Sequence, residues 1–496
     1  MNYNMIRYTL GWILLFEAGF LILPLITSIV YLELWPMASI LISIVICAGI
    51  GYLLSFKKPE SKALYARDGL VIVSLSWIFL SAFGALPFVI SGSIPSYIDA
   101  LFETVSGFTT TGASIVPLVE DLPKCMLMWR SFTHWVGGMG VLVFIMAFLP
   151  LGGAQNMYIM RAESPGPSVS KLVPKMKTTA LILYLIYFVL TVIMFIMLLL
   201  GDMTVFEALN TAFSTAGTGG FGFKNDSCAS FSSYTKIVTT VFMLIFSVNF
   251  SSYYLALKRR WRDAFNLELR TFVIIVVLAI AIITINIYSG EISEEVFVVN
   301  KTDYSATDGY SFKDALIHSA FSVASLISTT GFSTENFVAW PALSQTVLVL
   351  IMFIGACAGS TGGGIKVSRI VIFLKGVGRE LSSVIHPRQI KKITIDKRPV
   401  DNEIVRSVNA YIACYLTVFV ASLLLISFEN HDFITNFTAV TATLNNVGPG
   451  LSAVGPTSNY AFFSIPSKLV LIFNMLAGRL ELLPMLLLFA PSTWKK

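Results

Sequence analysis

Long apolar runs alternate with short polar breaks along almost the whole of this 496-residue chain. Crossing a bilayer takes roughly 20 residues. Runs of that order fall at 10–31, 36–56, 69–92, 129–150, 178–201, 234–257, 271–288, 342–374, 404–428 and 466–490. Four breaks are built around glycine and interrupt apolar surroundings: TTTGAS near 109, GTGGFGF near 217, STTGFSTEN near 328 and NNVGPGLS near 445. With Gly112, Gly219, Gly331 and Gly448 taken as their centres, the intervals are 107, 112 and 117 residues. A steady period in such a chain predicts duplicated units.

Each unit has the same order: a long apolar run, a half-length stretch, the glycine break, then a second long run. The half-length stretches are YIDALFETVSGF, TVFEALNTAFSTA, SFKDALIHSAFSVASLI and DFITNFTAVTATL. They are too short to span a bilayer and long enough for a helix that enters and stops partway. The expected fold is therefore an all-α polytopic membrane protein. A two-helix N-terminal region occupies 1–60, and helix–pore loop–helix units occupy 61–170, 171–264, 265–398 and 399–496.

Irregular backbone at membrane depth must be buried in protein or line a watery path. One glycine break alone is most simply a tight turn or a close helix contact. Four in register can meet on one axis by pseudo-fourfold symmetry. Glycine frees the backbone there to turn carbonyl oxygens inward. A ring of such oxygens replaces the water shell of a small cation and suits anions poorly. The C-terminal ends of the short helices, partly negative, favour cations further.

Composition supports the membrane reading. Only 12% of residues are charged, against about 25% in soluble domains, and mean hydropathy is +0.77. A large soluble α-protein is excluded on that basis. The first run carries a weak basic flank, only Arg7, and no convincing cleavage site, so it reads as a retained helix. Basic residues follow alternate runs: Lys57, Lys58, Lys62 and Arg67; Arg161, Lys171, Lys175 and Lys177; Lys258, Arg259, Arg260 and Arg262; Arg379, Arg388, Lys391, Lys392, Lys397, Arg398 and Arg406; and Lys495 and Lys496. The positive-inside rule places these on the cytoplasmic side, with both termini inside and the acidic segment 289–310 outside. The net charge of +6 needs no nucleic-acid partner.

Little else points to chemistry. Cys47, Cys125, Cys228, Cys357 and Cys414 show no metal spacing, although Cys125 and Cys228 share the predicted outer side and have the option of pairing. His134, His318, His386 and His431 form no cluster in sequence, and no catalytic triad or carboxylate pair appears, so an enzyme is not expected. AGSTGGGIKVS at 358–368 departs from a phosphate loop, because Ile365 separates glycine from Lys366 and the flanks are apolar. Its glycines, with Ser360 and Thr361, predict a break in the eighth run. That break is either a static kink or a loop that blocks and opens a pore. Arg479 lies inside the last run, where an arginine is rare and by default functional. The other reading is an ion pair with another unit. Glu481, two residues on, is a poor helical partner for it. Arg130 is placed to hold Glu103 of the first half-length stretch. Lys366 is left open between the pore and the cytoplasm.

At these residues the chain resembles the Trk/Ktr/HKT superfamily of potassium transporters, in particular its TrkH type. STTGFST at 328–334 and NNVGPG at 445–450 are similar to that family's third and fourth filter loops. WRSFTHWVGGMG, SPGPSVSKLVPKMKTTA, GSTGGGIK and NMLAGRLELLP resemble its first closing helix, first linker, third closing-helix loop and fourth closing helix. The resemblance covers essentially the whole chain, and the two extra N-terminal runs favour the TrkH type. It implies a selectivity filter at Thr110, Thr111, Gly112 and Ala113; Gly217, Thr218, Gly219 and Gly220; Thr329, Thr330, Gly331 and Phe332; and Asn446, Val447, Gly448 and Pro449. It implies a gate at Gly359, Ser360, Thr361, Gly362, Gly363 and Gly364, with Lys366 and Arg479 beside it. Gly112 implies strong acceptance of potassium and leaves rubidium and sodium open as minor ions. The second loop departs from the commoner pattern at Thr218, Gly222 and Phe223, which puts fine ion preference in doubt.

The resemblance further implies a homodimer in the lipid bilayer and a cytosolic nucleotide-binding regulatory subunit of the TrkA type, with 375–398 as a docking surface. The function implied is potassium uptake across the cytoplasmic inner membrane, with potassium as substrate and no bound cofactor. A potential of 100 mV is worth about 2.3 kcal/mol per charge, which supports roughly 50-fold accumulation with no coupled ion. The alternative is a proton- or sodium-coupled symporter.

Overall fold

The computed structural model describes residues 1–59, 65–140, 176–289, 310–388, 392–396 and 398–494. The end of the fourth apolar run, most of the linker that follows it and most of the acidic segment 289–310 lie outside the described residues.

The chain is a polytopic helical membrane protein. Among the described residues six helical segments are long and apolar enough to cross a membrane: Tyr3–Val30, Leu34–Ser55, Arg67–Ser91, Thr178–Leu199, Leu267–Ser289 and Asn402–Glu429. The pair Ser233–Phe246 and Phe250–Leu257 makes a seventh, bent by 89°. Among the described residues strand structure is confined to a two-stranded hairpin, Thr394–Ile395 with Arg398–Pro399, which the all-α expectation omitted.

Many aliphatic side chains point outward, such as Val45, Leu53, Val277 and Leu350. In lipid that exposure costs nothing, so association of helices rests on close packing rather than on hydrophobic burial. The first two spans show how. A Cβ added to Gly11 would lie 2.7 Å from the Gly51 carbonyl oxygen, and one on Gly51 would lie 2.8 Å from the Gly11 carbonyl oxygen. The two backbones touch because neither residue has a side chain there. Glu33, in the turn after the first span, accepts hydrogen bonds from the backbone of Lys124 and Cys125 at 2.6 and 3.0 Å. This ties the N-terminal pair to the first closing helix, Lys124–Gly138.

The half-length stretches are helices: Tyr97–Phe108, Val205–Ala216, Phe312–Ile327 and Phe433–Leu444. All four start alike. Ser96, Thr204, Ser311 and Asp432 each accept the N–H three residues on, satisfying a donor that the helix leaves orphaned. Each is held between a long opening helix and a closing helix of its own unit.

The closing helices differ from the unbroken runs expected at 234–257 and 466–490. The second bends at Ser247–Asn249, and the third stops at Ile354 and resumes at Val367. The fourth breaks between Arg479 and Leu483, where Glu481 and Leu482 take left-handed φ values of 57° and 68°. Hydropathy is blind to such breaks, because the residues around them remain apolar. In the second helix the break frees the Ser247 carbonyl and the Phe250 N–H. These bond Cys357 and Gly359 of the third helix at 3.1 Å each.

Cys125 and Cys228 are separate free thiols, so the pairing considered for them does not form. Replacing Gly11 by Val forces the first two spans apart. We expect a loss of about 1–3 kcal/mol, seen as a lower unfolding temperature of the detergent-solubilised protein, and a smaller loss for Gly11→Ala.

Candidate ion pathway at the glycine loops

The loops follow the short helices directly, and each helix ends in the same motif. The residue two past the helix end is left-handed: Thr110 (φ 55°), Thr218 (54°), Thr329 (61°) and Asn446 (55°). Its N–H bonds the carbonyl three residues back, and the next N–H bonds the carbonyl five back, to Ser106, Ser214, Ser325 and Ala442 at 2.8–2.9 Å. This is a Schellman closure, which ordinarily places glycine at the left-handed position. Threonine there costs about 1–2 kcal/mol per residue. Strain of this kind persists only where the surroundings fix it, and such sites are often functional.

The shared motif sets the register. The glycine two residues further on is also left-handed in each loop: Gly112, Gly220, Gly331 and Gly448, at φ 78–98°. The second loop's equivalent stretch is therefore Thr218–Phe221, where the resemblance implied Gly217–Gly220, and its equivalent glycine is Gly220 rather than the Gly219 chosen from the spacing. Gly217 instead ends the helix. The adjacent glycines of GTGGFGF hid this shift, because either satisfies the period.

These glycines close a ring. A Cβ on Gly112 would strike the Gly219 carbonyl of the next loop, and one on Gly220 the Thr330 carbonyl. One on Gly331 would strike the Val447 carbonyl, and one on Gly448 lies 2.7 Å from the Thr111 carbonyl oxygen. Loop one thus abuts loop two, two abuts three, three abuts four, and four returns to one. The threonines, Asn446, Val447, Ala113 and Phe332 are buried. The carbonyls of Thr110–Gly112, Thr218–Gly220, Thr329–Gly331, Asn446 and Val447 accept no hydrogen bond from any described residue. Buried carbonyls are ordinarily satisfied by protein, water or an ion.

Side chains hold the ring from behind. Arg130 Nε reaches Glu103 at 2.8 Å, both almost fully buried. The pairing placed there from sequence is present. The guanidinium also donates to the Gly222 carbonyl and lies 4.2 Å from the centre of the Phe221 ring, so it links the first loop's helix to the second loop. Glu103 in turn accepts from Ser114 and from the Ile115 N–H. His134 was not singled out by sequence. Its Nδ1 donates to the Gly107 carbonyl at 2.7 Å, and its Nε2 accepts from the Phe221 N–H at 3.2 Å. One ring nitrogen donates and the other accepts, which is the pattern of a neutral imidazole. Asn446 Nδ2 joins the fourth loop to Thr111 Oγ1 of the first at 2.9 Å and to the Met475 carbonyl. Tyr460 donates to the Gly448 carbonyl at 2.7 Å. Aromatic and histidine anchors on neighbouring helices carry no glycine signal and are invisible to a search for loops.

The break in the third closing helix runs from Gly355 to Lys366, longer than the Gly359–Gly364 segment expected. It lies against the ring. The Gly363 N–H donates to Thr329 Oγ1 at 2.6 Å, and the Gly364 N–H donates to the Asn445 carbonyl at 3.0 Å. A Cβ on Gly362 would lie 2.7 Å from the Ser328 carbonyl oxygen. Thr361 Oγ1 bonds the Phe246 carbonyl, and Ser360 bonds the Cys357 carbonyl within the loop. Lys366, buried, turns its amine onto the Gly362 carbonyl. Arg479 spans from the Thr361 carbonyl at 2.8 Å to the Gly138 carbonyl at 2.7 Å and to that of Gly137. These three carbonyls belong to two other units, while Glu481 pairs with Arg369 instead.

Comparisons with known proteins agree on one relationship. The family model described as TrkH, cation transport protein, matches residues 37–496. The Trk system potassium uptake protein TrkH of Salmonella typhimurium is 35% identical over 505 residues, covering 100% of both chains. That of Vibrio parahaemolyticus is 37% identical over 442 residues, 87% of each. The crystal structure of the potassium transporter TrkH from Vibrio parahaemolyticus matches with a TM-score of 0.86 at 31% identity, covering 100% of both chains.

Arg130→Ala strands the buried Glu103 carboxylate. We expect a loss of about 3–5 kcal/mol in thermal unfolding, and partial recovery in the double variant Arg130→Met, Glu103→Leu, which removes both charges.

Proposed function

The chain belongs to the TrkH family of cation transport proteins, and from that premise we propose that it takes up potassium through a filter made by its four glycine loops. It is a transport protein and not an enzyme. The observation that carries the proposal is the set of buried loop carbonyls to which no described residue donates a hydrogen bond, disposed around one closed ring. Such oxygens replace the hydration shell of a monovalent cation. The short helices end at the ring, and the partial negative charge of their C-termini favours a cation there. The filter positions are Thr110–Ala113, Thr218–Phe221, Thr329–Phe332 and Asn446–Pro449.

The segment Gly355–Lys366 acts as the gate. It sits against the third and fourth loops and meets Arg479, whose charge raises the barrier to a passing cation. Movement of the segment away from the Asn445 carbonyl and Thr329 opens the path. The membrane potential drives entry, with no coupled ion required. The four units divide near residues 61, 171, 265 and 399, after a two-helix N-terminal region. Both termini and the basic segments face the cytoplasm, in keeping with the positive-inside rule. The working assembly is a homodimer in the cytoplasmic membrane, with a cytosolic nucleotide-binding subunit docked near 375–398. The relatives named as Trk system proteins support a multi-subunit reading.

Rubidium uptake into cells that lack their own potassium transport tests the proposal. The wild-type chain should give saturable uptake that follows the membrane potential and ignores the proton and sodium gradients. Gly112→Ser and Gly448→Ser should each lower it by about tenfold or more, since either side chain enters the neighbouring loop's backbone. Arg479→Gln should raise the maximal rate several-fold. No uptake by the wild type, or uptake indifferent to both glycine changes, overturns the reading.

A further inference from the structure

Glu268 is the second residue of the third opening helix, Leu267–Ser289, far in sequence from the loops. One of its carboxylate oxygens, Oε1, accepts two backbone hydrogen bonds. The Ala358 N–H donates at 2.7 Å and the Ser368 N–H at 3.2 Å. Ala358 lies inside the Gly355–Lys366 break, one residue before Gly359. Ser368 lies just beyond the break, in the first turn of the helix Val367–Ile385. A single oxygen atom therefore holds residues on either side of the Gly359–Gly364 run to a different helix.

The segment lacks helical bonding of its own and is held by bonds to neighbouring elements, Cys357 to Ser247, Phe250 to Gly359 and Gly364 to Asn445 among them. Gly355, Gly359, Gly364 and Lys366 are all left-handed, and no regular helix bonds run through it. Two bonds that flank the glycine run fix where its movable part begins.

Glu268 is itself held at a second point. The turn residue Asp396 of the small hairpin accepts the Leu267 N–H through both oxygens at 3.1 Å, and it pairs with Arg270 Nη2 at 3.1 Å. The hairpin thus caps the very helix turn that carries Glu268. A displacement of the hairpin is transmitted to the segment through one turn of helix.

We infer that Glu268 is a positioning residue for the gate: its side-chain oxygen ties together the residues that flank the Gly359–Gly364 run and holds the Gly355–Lys366 segment in the blocking position. The inference rests on the transport reading above. It does not require Glu268 to meet the ion.

Glu268→Ala removes the acceptor, whereas Glu268→Gln keeps an oxygen at the same reach. Rubidium uptake is measured in the same deficient cells, at matched membrane abundance. Glu268→Ala should raise the maximal rate by about tenfold, the effect of losing one to two such bonds, with the half-saturating rubidium concentration unchanged because the ring is untouched. Glu268→Gln should restore the wild-type rate. If Glu268→Ala does not reach the membrane, Glu268→Asp, one methylene shorter, is read in the same way. An unchanged or reduced maximal rate, or a Glu268→Gln variant that behaves like Glu268→Ala, overturns the inference. A wild-type chain without uptake overturns the transport reading itself and is thereby told apart.

Discussion

The architecture depends on backbone meeting backbone around the ring. Each left-handed glycine leaves a space that the next loop's carbonyl fills, and the relation repeats until the fourth loop reaches the first. No side chain fits at those four points. The short helices, their caps and the long flanking spans all serve to bring four peptide segments to that separation. Strained threonines at three of the four helix ends show how firmly the surroundings impose the geometry.

The ring is held by two kinds of support with different chemistry. On one side buried side chains bond across loops: Arg130 with Glu103, His134 between Gly107 and Phe221, Asn446 between Thr111 and Met475. These are buried polar groups bonded across the loops in an apolar setting, where leaving a partner out is costly. On the other side the contacts are made by peptide groups of the broken helices, as at Ser247, Phe250 and Gly364. The two supports are thus distinguished by what they are bonded with.

Much of this was legible in the sequence. Half-length helices follow from interrupted apolar runs, since a bilayer sets a minimum length for a span. The loop positions follow from their near-even spacing, and the pairing of Arg130 with Glu103 follows from one charge lying near another in apolar surroundings. What was hidden has physical reasons. Gly219 and Gly220 are neighbours, and only the backbone angles tell which one corresponds to Gly112. The breaks after Phe246 and Arg479 hold only a few polar residues within long apolar stretches, so hydropathy averaged over a span passes over them. His134 and Glu268 act through peptide groups distant in the chain, and no local pattern marks a residue whose partners are backbone atoms.

The hydrogen bond from Asn446 to Thr111 joins positions 335 residues apart. Its consequence lies in biogenesis. The circle of peptide segments stays open at one seam until the final quarter of the polypeptide has left the ribosome and entered the bilayer. Over that interval the earliest quarter has its buried polar backbone facing an absent neighbour. A chain cut short before its last unit has no means of sealing that seam from its own residues.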